Sequence, residues 1–487
     1  MMLARISPRL AFALALLFIT LYRILVIEGI DLQLFYDEAY YFWWSLKPDL
    51  GYYSKPPMVA WVIHFTTSLW GYSELAIKAG GLILYAAAAT VVYAIGKTLY
   101  DEKVGALSGI TFICLPVVGL ETMFMSTDAP LFFFWGLTVW LFIKARDDSG
   151  WGWWLATGGA AGLGLLSKYS MGVLAVGLLV YLLTSPNYRR LLADRRLWVA
   201  VLLAALILSP NLYWNYLNDF ISFRHTAEIS QLDRDLFHPG QLVEFLAGQF
   251  VVFGPLMMFF FFRHGLAPSA FSDDRQRLLL WPALAMLGVI SLQALMSRAY
   301  PNWAAPAFVT ATPFVVAMLV KRGAYRWLGA AIVINLLILS TIYHYHFIAR
   351  TLDIELKRGK DPYSRMLGWR ELSDKVSAVA ENHPKARLTG RSRKLLANLG
   401  YYMEPQQLDP IAWNPGGRIG DQYQLASDIT RFDDGEYLFV TLRTLSREEQ
   451  NRFRQATFLG EQQVKVYSNL ELRVYIYHLS GFRGYHD

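Results

Sequence analysis

The sequence predicts an α-helical polytopic membrane protein with about eleven transmembrane helices and a small α/β C-terminal domain. Three observations lead there. The 487 residues are 55% hydrophobic and only 17% charged, with a mean hydropathy of +0.30. A soluble domain carries about a quarter charged residues. The apolar residues fall in blocks of roughly twenty, the length that takes a helix across a bilayer core. Basic residues gather in alternate connecting loops.

Along the chain the apolar runs lie at 9–29, 76–97, 104–121, 129–144, 152–167, 170–184, 197–215, 242–262, 278–296, 303–320 and 326–347. The first follows Arg5 and Arg9 but runs long and lacks a small-x-small cleavage pattern, so it is expected to be retained. With the N-terminus inside, the inside loops are "RISPR", "KTLYDEK", "KARDD", "NYRRLLADRR", "RHGLAPSAFSDDRQR" and "KRGAYR". They hold sixteen Lys and Arg, against six in the outside loops. That is the asymmetry the positive-inside rule requires.

An odd number of spans places the tail outside. The expected division is a transmembrane domain over 1–347 and a soluble domain over 348–487. The first outside loop, 30–75, carries juxtamembrane helices. In the tail, "TLSREEQNRFRQ" predicts a helix capped by Thr444 or Ser446. "EYLFVTLR" and "LELRVYIYHL" predict strands, and 409–423 is loop from its Pro-Gly content. The single cysteine, Cys114, excludes an intrachain disulfide and argues against a Cys-based metal site. The net charge of +7 is carried largely by topology-setting loops, so no nucleic-acid partner is expected.

Every outside loop carries ionisable residues. The first, "LFYDEAYYFWWSLKPDLGYYSKPPMVAW", has Asp37, Glu38, Lys47, Asp49 and Lys55 among its aromatics. Asp128 lies in "MSTDAP" and Lys168 in "SKYS". Arg224, His225, Glu228, Asp233 and Arg234 share the fourth loop, and Arg298 lies in "SRAYPNW". Charges at a membrane edge are costly unless they face a cavity or one another, which marks them as functional candidates. Acids can deprotonate a nucleophile, and cations can stabilise charge growing on a departing phosphate. Together they suggest group transfer from a lipid-phosphate donor.

The segments "YDEAYYFWW…GYYSKPPMVAW", "MSTDAPLFFFW", "GLGLLSKYSMGVL" and "RAYPNWAAPAF" resemble, in that order, the integral-membrane GT-C glycosyltransferases. The nearest groups are the dolichyl-phosphate-mannose protein mannosyltransferases and the bacterial aminoarabinose lipid A transferases. The resemblance covers about the first 350 residues, the helical part of the chain. It implies an inverting transfer from a polyprenyl-phosphate sugar to a periplasmic acceptor, in a bacterial inner membrane. The favoured acceptor is lipid A or another lipopolysaccharide glycan, with a protein hydroxyl second. The matched positions would make Asp37 the acceptor-activating carboxylate and Asp128 a second acid. Lys55, Lys168 and, more loosely, Arg298 would hold the donor phosphate. Glu38, Tyr53, Tyr300, Arg224 and His225 are candidates for substrate contact. One departure stands out: where the aminoarabinose branch often has an acid before the loop lysine, this chain has Ser54. No cofactor is identified, and a divalent metal on the carboxylates stays open.

Plainer roles compete. Asp37 and Glu38 suit a helix N-terminus, Asp128 an N-cap, the lysines snorkelling, and Arg298 with Tyr300 an interfacial belt. The histidines of "HYHF" (344–347), two apart, do not share a helix face, which disfavours a shared metal. A lipid or sugar transporter without transfer chemistry is the rival from another class, although the paired repeats common in transporters are absent.

Overall fold

The computed structural model describes residues 6–148, 150–230, 236–432 and 435–485. Asp233 and Arg234 lie outside the described residues. In chain order the helices begin with α1 (Pro8–Ile30), α2 (Tyr36–Ser45), α3 (Met58–Trp70), α4 (Glu74–Leu99), α5 (Glu102–Ile113), α6 (Pro116–Glu121) and α7 (Asp128–Asp147). Next come α8 (Trp151–Ser167), α9 (Gly172–Thr184), α10 (Arg195–Leu217), α11 (Ile221–Ser230), α12 (Pro239–Val252), α13 (Pro255–Gly265), α14 (Asp274–Met296), α15 (Ala307–Lys321) and α16 (Tyr325–Tyr343). The remaining helices are α17 (Tyr345–Thr351), α18 (Trp369–Ala380), α19 (Arg393–Tyr402), α20 (Gln422–Ala426) and α21 (Arg447–Asn451).

The chain divides into two compact units. One joins 1–29, 55–71 and 75–343; the other joins 30–54, 72–74 and 344–487. The helical unit makes this a multi-pass membrane protein. Among the described residues, six helices are long and apolar enough to cross a bilayer (α1, α4, α7, α10, α14 and α16). The pair α12–α13 adds a seventh crossing if its two arms count as one span. The run at 104–121 is broken into α5 and α6 by Cys114 and Leu115, just before Pro116. The run at 242–262 is bent by 113° between α12 and α13. Gly254 at that bend has φ +93°, and a Cβ there would run into the Asn335 side chain, so only glycine suits the turn. Helix α8 packs on α10 at close range: a Cβ at Gly158 would strike the Ala200 backbone. Small residues at such a contact let helices approach where burial of oil against oil offers no drive.

The second unit holds a five-stranded sheet of β1 (Arg387–Gly390), β2 (Ile411–Ala412), β3 (Glu436–Thr441), β4 (Phe453–Tyr467) and β5 (Leu470–Phe482), ordered β2-β1-β3-β5-β4. β1 runs parallel to β2 and β3, whereas β5 is antiparallel to β3 and β4. Ile411, Trp413, Tyr437, Phe439, Tyr477 and Leu479 form the core on this sheet. The helix expected in "TLSREEQNRFRQ" ends at Asn451, and strand β4 starts at Phe453. Ser446, not Thr444, is its cap. It forms a capping box with Glu449, whose backbone N–H donates to Ser446 Oγ at 3.2 Å while Ser446 N–H donates to Glu449 Oε2 at 2.8 Å.

The first loop belongs to this unit, fastened to the tail by long-range bonds. Leu34 N–H donates to the Tyr402 hydroxyl at 2.6 Å, and that hydroxyl donates to Glu74 Oε1 at 2.8 Å. Trp369 N–H donates to Gln33 Oε1 at 2.7 Å, and Tyr53 N–H to Gln422 Oε1 at 2.6 Å. Arg370 bridges Asp31 at 3.0 Å and Glu74 at 2.8 Å. Helix α2 packs on α19, with the Phe42 ring edge-on to Tyr401 at 5.3 Å.

Two outcomes are expected. Tyr402→Phe strands the buried Leu34 N–H and should cost about 1–3 kcal/mol, read as a lower unfolding midpoint of the full chain in detergent; an unchanged midpoint would remove this bond from the account. Glu449 supplies a pH signature. Burial raises its carboxyl, but Arg443, the Ser446 N–H and Arg391 outweigh that and bring it down to about 2. A depressed carboxyl stabilises the fold above its unfolded value of about 4.3 and ceases to do so as pH falls towards the folded one. Unfolding scans from pH 6 to pH 3 should therefore show a loss of midpoint that Glu449→Gln reduces.

Candidate active site

In the helical unit, helix ends converge on one polar cluster. Asp128 opens α7, where the helix dipole favours an acid. Lys168 caps the C-terminus of α8, where it favours a cation. Lys168 Nζ donates to Asp128 Oδ1 at 2.8 Å, with the two side chains 20% and 10% exposed. Glu121, at the end of α6, is 9% exposed. Its Oε2 accepts from Ser126 Oγ at 3.2 Å and its Oε1 from Asn302 Nδ2 at 3.1 Å. Ser126 Oγ in turn accepts the Asp128 N–H at 3.2 Å. Two carboxylates, one ammonium and their neutral partners thus share a crowded, partly dehydrated place.

The loop around Lys168 is anchored from the next residue. Tyr169 donates its hydroxyl to Asn211 Oδ1 at 2.9 Å and accepts from Asn215 Nδ2 at 3.2 Å. Its ring stacks on Phe223 at 4.6 Å. On α11, beside Phe223, Arg224 is exposed and His225 half-buried. Arg298 lies over the ring of Tyr300 at 4.8 Å, and both are exposed. Lys55 is half-buried just before Pro56-Pro57 and α3.

Asp37, Glu38 and Tyr53 lie in the second unit. Asp37 sits in the first turn of α2, about one-third exposed, with Oδ1 3.5 Å from Arg393 Nη2. Arg393 also lies over the Tyr36 and Tyr40 rings, at 5.6 and 5.0 Å. Burial opposes its charge, but Asp37 and the surrounding phenols raise its pKa. Glu38 is 1% exposed, and its Oε2 accepts the Phe35 N–H at 2.9 Å, a helix-capping use. Tyr53 is buried, as is Ser54. His346 of the "HYHF" run has Nε2 3.1 Å from Asp361 Oδ1. Among the described residues no group of three or more His, Cys, Asp or Glu is placed to hold a metal ion.

Sequence reading missed Glu121, Ser126, Asn302 and Arg393. Glu121 did carry a sign, an acid closing the apolar run 104–121, but the run absorbed it as a span end. Asn302 stood inside the quoted "RAYPNW" and was passed over for its neighbours. Arg393 lies hundreds of residues from Asp37 and had no local sign.

A profile of the dolichyl-phosphate-mannose-protein mannosyltransferase family matches residues 54–214. The lipid A galacturonosyltransferase RgtD of Rhizobium johnstonii is 32% identical over 446 residues, covering 89% of this chain and 91% of that protein. The lipopolysaccharide core galacturonosyltransferase RgtA of the same organism is 28% identical over 37% of this chain and 36% of its own. Among solved structures, ArnT from Cupriavidus metallidurans has the same fold in its apo state and bound to undecaprenyl phosphate. Both superpose with a TM-score of 0.63, at 15% and 14% identity over 96% of this chain and 98% and 97% of theirs.

The partly buried pair can be tested directly. Lys168→Met removes the cation of a partly buried pair and should cost about 1–3 kcal/mol. Adding Asp128→Asn should recover part of that loss. A double-mutant cycle on unfolding in detergent that gives no coupling would show that the two do not act as a pair.

Proposed function

The chain belongs to the integral-membrane GT-C glycosyltransferases, and we propose that it moves a galacturonosyl group from a polyprenyl-phosphate donor onto lipid A. The observation that carries this reading is the 32% identity to a lipid A galacturonosyltransferase over 89% of the chain. The ArnT fold, one form of which holds undecaprenyl phosphate, supports the donor class. The loop charges support a placement of 348–487 and the outside loops on the non-cytoplasmic face, which the family resemblance makes the periplasmic face of an inner membrane. The expected eleven crossings belong to the same reading, with the shorter and broken helices counted as spans.

In this mechanism an acceptor hydroxyl attacks the anomeric carbon as the bond to phosphate oxygen breaks, with inversion. Its proton passes to Asp37. The leaving oxygen keeps the electron pair, and the resulting phosphate is stabilised by Lys55 and Lys168, with Arg298 as a further cation. The Lys168 ammonium has three donors. One is taken by Asp128, which leaves the others for phosphate oxygens. Asp128 then serves as the acid that aims this lysine. Tyr300, Arg224 and His225 are assigned to substrate contact in this reading, whereas Glu38 and Tyr53 are buried and Glu38 caps α2.

Purified protein incubated with radiolabelled polyprenyl-phosphate sugars and envelope extract should move label into the lipid A fraction. Label in protein would favour a hydroxyl of a polypeptide as acceptor, and carriage of intact donor without transfer would favour a transporter. Asp37→Asn should lower transfer by at least about 10²-fold, the usual lower bound for losing a general base, with expression near normal. Retained turnover would remove Asp37 from the mechanism.

A further inference from the structure

The second unit contains a cavity of about 700 Å³ that this mechanism does not use. Its volume falls within the range of small-molecule sites. Trp44, 1% exposed, lines it, with Tyr52 stacked flat on its indole at 4.4 Å. The half-buried Trp43, the exposed Tyr72 and Phe432 supply further aromatic wall. Across from them, Arg387 lies 4.4 Å over the Phe432 ring and donates to the Asp409 carbonyl oxygen at 3.0 Å. Lys47 Nζ donates to Asp409 Oδ1 at 2.9 Å, both side chains well exposed. The Trp44 indole is buried edge-on to Tyr40, ring centroids 4.8 Å apart.

We propose that this cavity is a saccharide subsite, which holds sugar rings of the acceptor glycan beyond the residue that is modified. The proposal rests on the acceptor reading given above. A pyranose presents an apolar C–H face and a rim of hydroxyls. Trp44 and Tyr52 are buried against each other; the more accessible aromatics, Trp43, Tyr72 and Phe432, match the face, and the charged groups match the rim. An acyl chain would meet four charges here. A simple phosphate would meet Asp49 and Asp409 as often as Lys47 and Arg387, so no net field draws an anion in. Neutral hydroxyls find both donors and acceptors. The Lys47–Asp409 pair is exposed and so contributes little to stability; it can open towards a ligand at small cost.

Placement strengthens the assignment. Asp37 and the two tryptophans ride on the same ten-residue helix, α2. At 1.5 Å rise per residue, Trp43 and Trp44 stand on the order of 10 Å from Asp37 along the axis. That is the reach of a short oligosaccharide with one hydroxyl at Asp37. One rigid element would thus set the distance between the activated hydroxyl and the rings that anchor it.

The test titrates the full-length protein in detergent, without donor, with lipid-free core oligosaccharide released from lipopolysaccharide, followed by calorimetry. Wild type should bind, and Trp43→Ala should weaken binding tenfold or more. Because Trp43 packs on Tyr423 at 4.1 Å, Lys47→Ala with Asp409→Ala, both at exposed positions, provides a variant whose unfolding midpoint should hold. It too should weaken binding about tenfold and raise the acceptor KM by a like factor, with kcat and the donor KM unchanged. Equal binding by wild type and both variants, or none by wild type, overturns the subsite. Free galacturonate binding in place of the oligosaccharide would overturn its assignment to the acceptor. Oligosaccharide binding by a protein that transfers nothing to lipid A would retain the subsite and reject the acceptor reading instead.

Discussion

Polar groups buried away from water must find partners, and in this protein the partners for the first loop come from the far end of the chain. The loop 30–54 has few regular elements of its own besides α2. Its amides at Leu34 and Tyr53 are met by Tyr402 and Gln422, and its acids at Asp31 and Asp37 by Arg370 and Arg393. Unpaired, each buried amide would cost about as much as a lost hydrogen bond. Asp37 therefore stands on a platform built by the tail.

The helical unit answers the same constraint differently. Its polar cluster is assembled where helices stop. Asp128, Lys168 and Glu121 each end or begin a helix; Asp128 and Lys168 meet helix dipoles of the right sign, whereas Glu121, an acid at a helix C-terminus, relies on Ser126 and Asn302. Short and broken helices look like defects when spans are counted by length. They also bring helix ends, with their unused amides and carbonyls, together around one polar cluster.

These two arrangements explain what could be read from the sequence. The apolar runs located nearly every helix of the helical unit, because lipid imposes a composition that needs no tertiary knowledge. The breaks before Pro116 and Pro255 were passed over, since a count by run length ignores the proline and Gly-Pro signals that mark them. In the tail, the alternation in "LELRVYIYHL" found β5. The edge strand β4 escaped, because its residues are polar or exposed over most of its length and it pairs with one neighbour only. Asp128 and Lys168 were picked out as charges in a place where charge is costly, and they bond to each other. Glu38 drew attention on the same ground and turned out to accept an amide of its own helix start. Glu121 and Arg393 show the limit: their partners are set by long-range packing, on which local pattern is silent.

The order of the chain against the order of the fold has a consequence for biogenesis. The loop 30–54 and its clamp are separated by about 270 residues of helical unit, between Glu74 and His344. At synthesis rates of roughly 5–20 residues per second, the loop waits on the order of tens of seconds before its partners leave the ribosome. During that interval its aromatics and unpaired amides face whatever lies beside the nascent helices. Maturation of this protein is thereby tied to completion of its final strands, and a truncated product would carry a full set of spans around an unassembled loop.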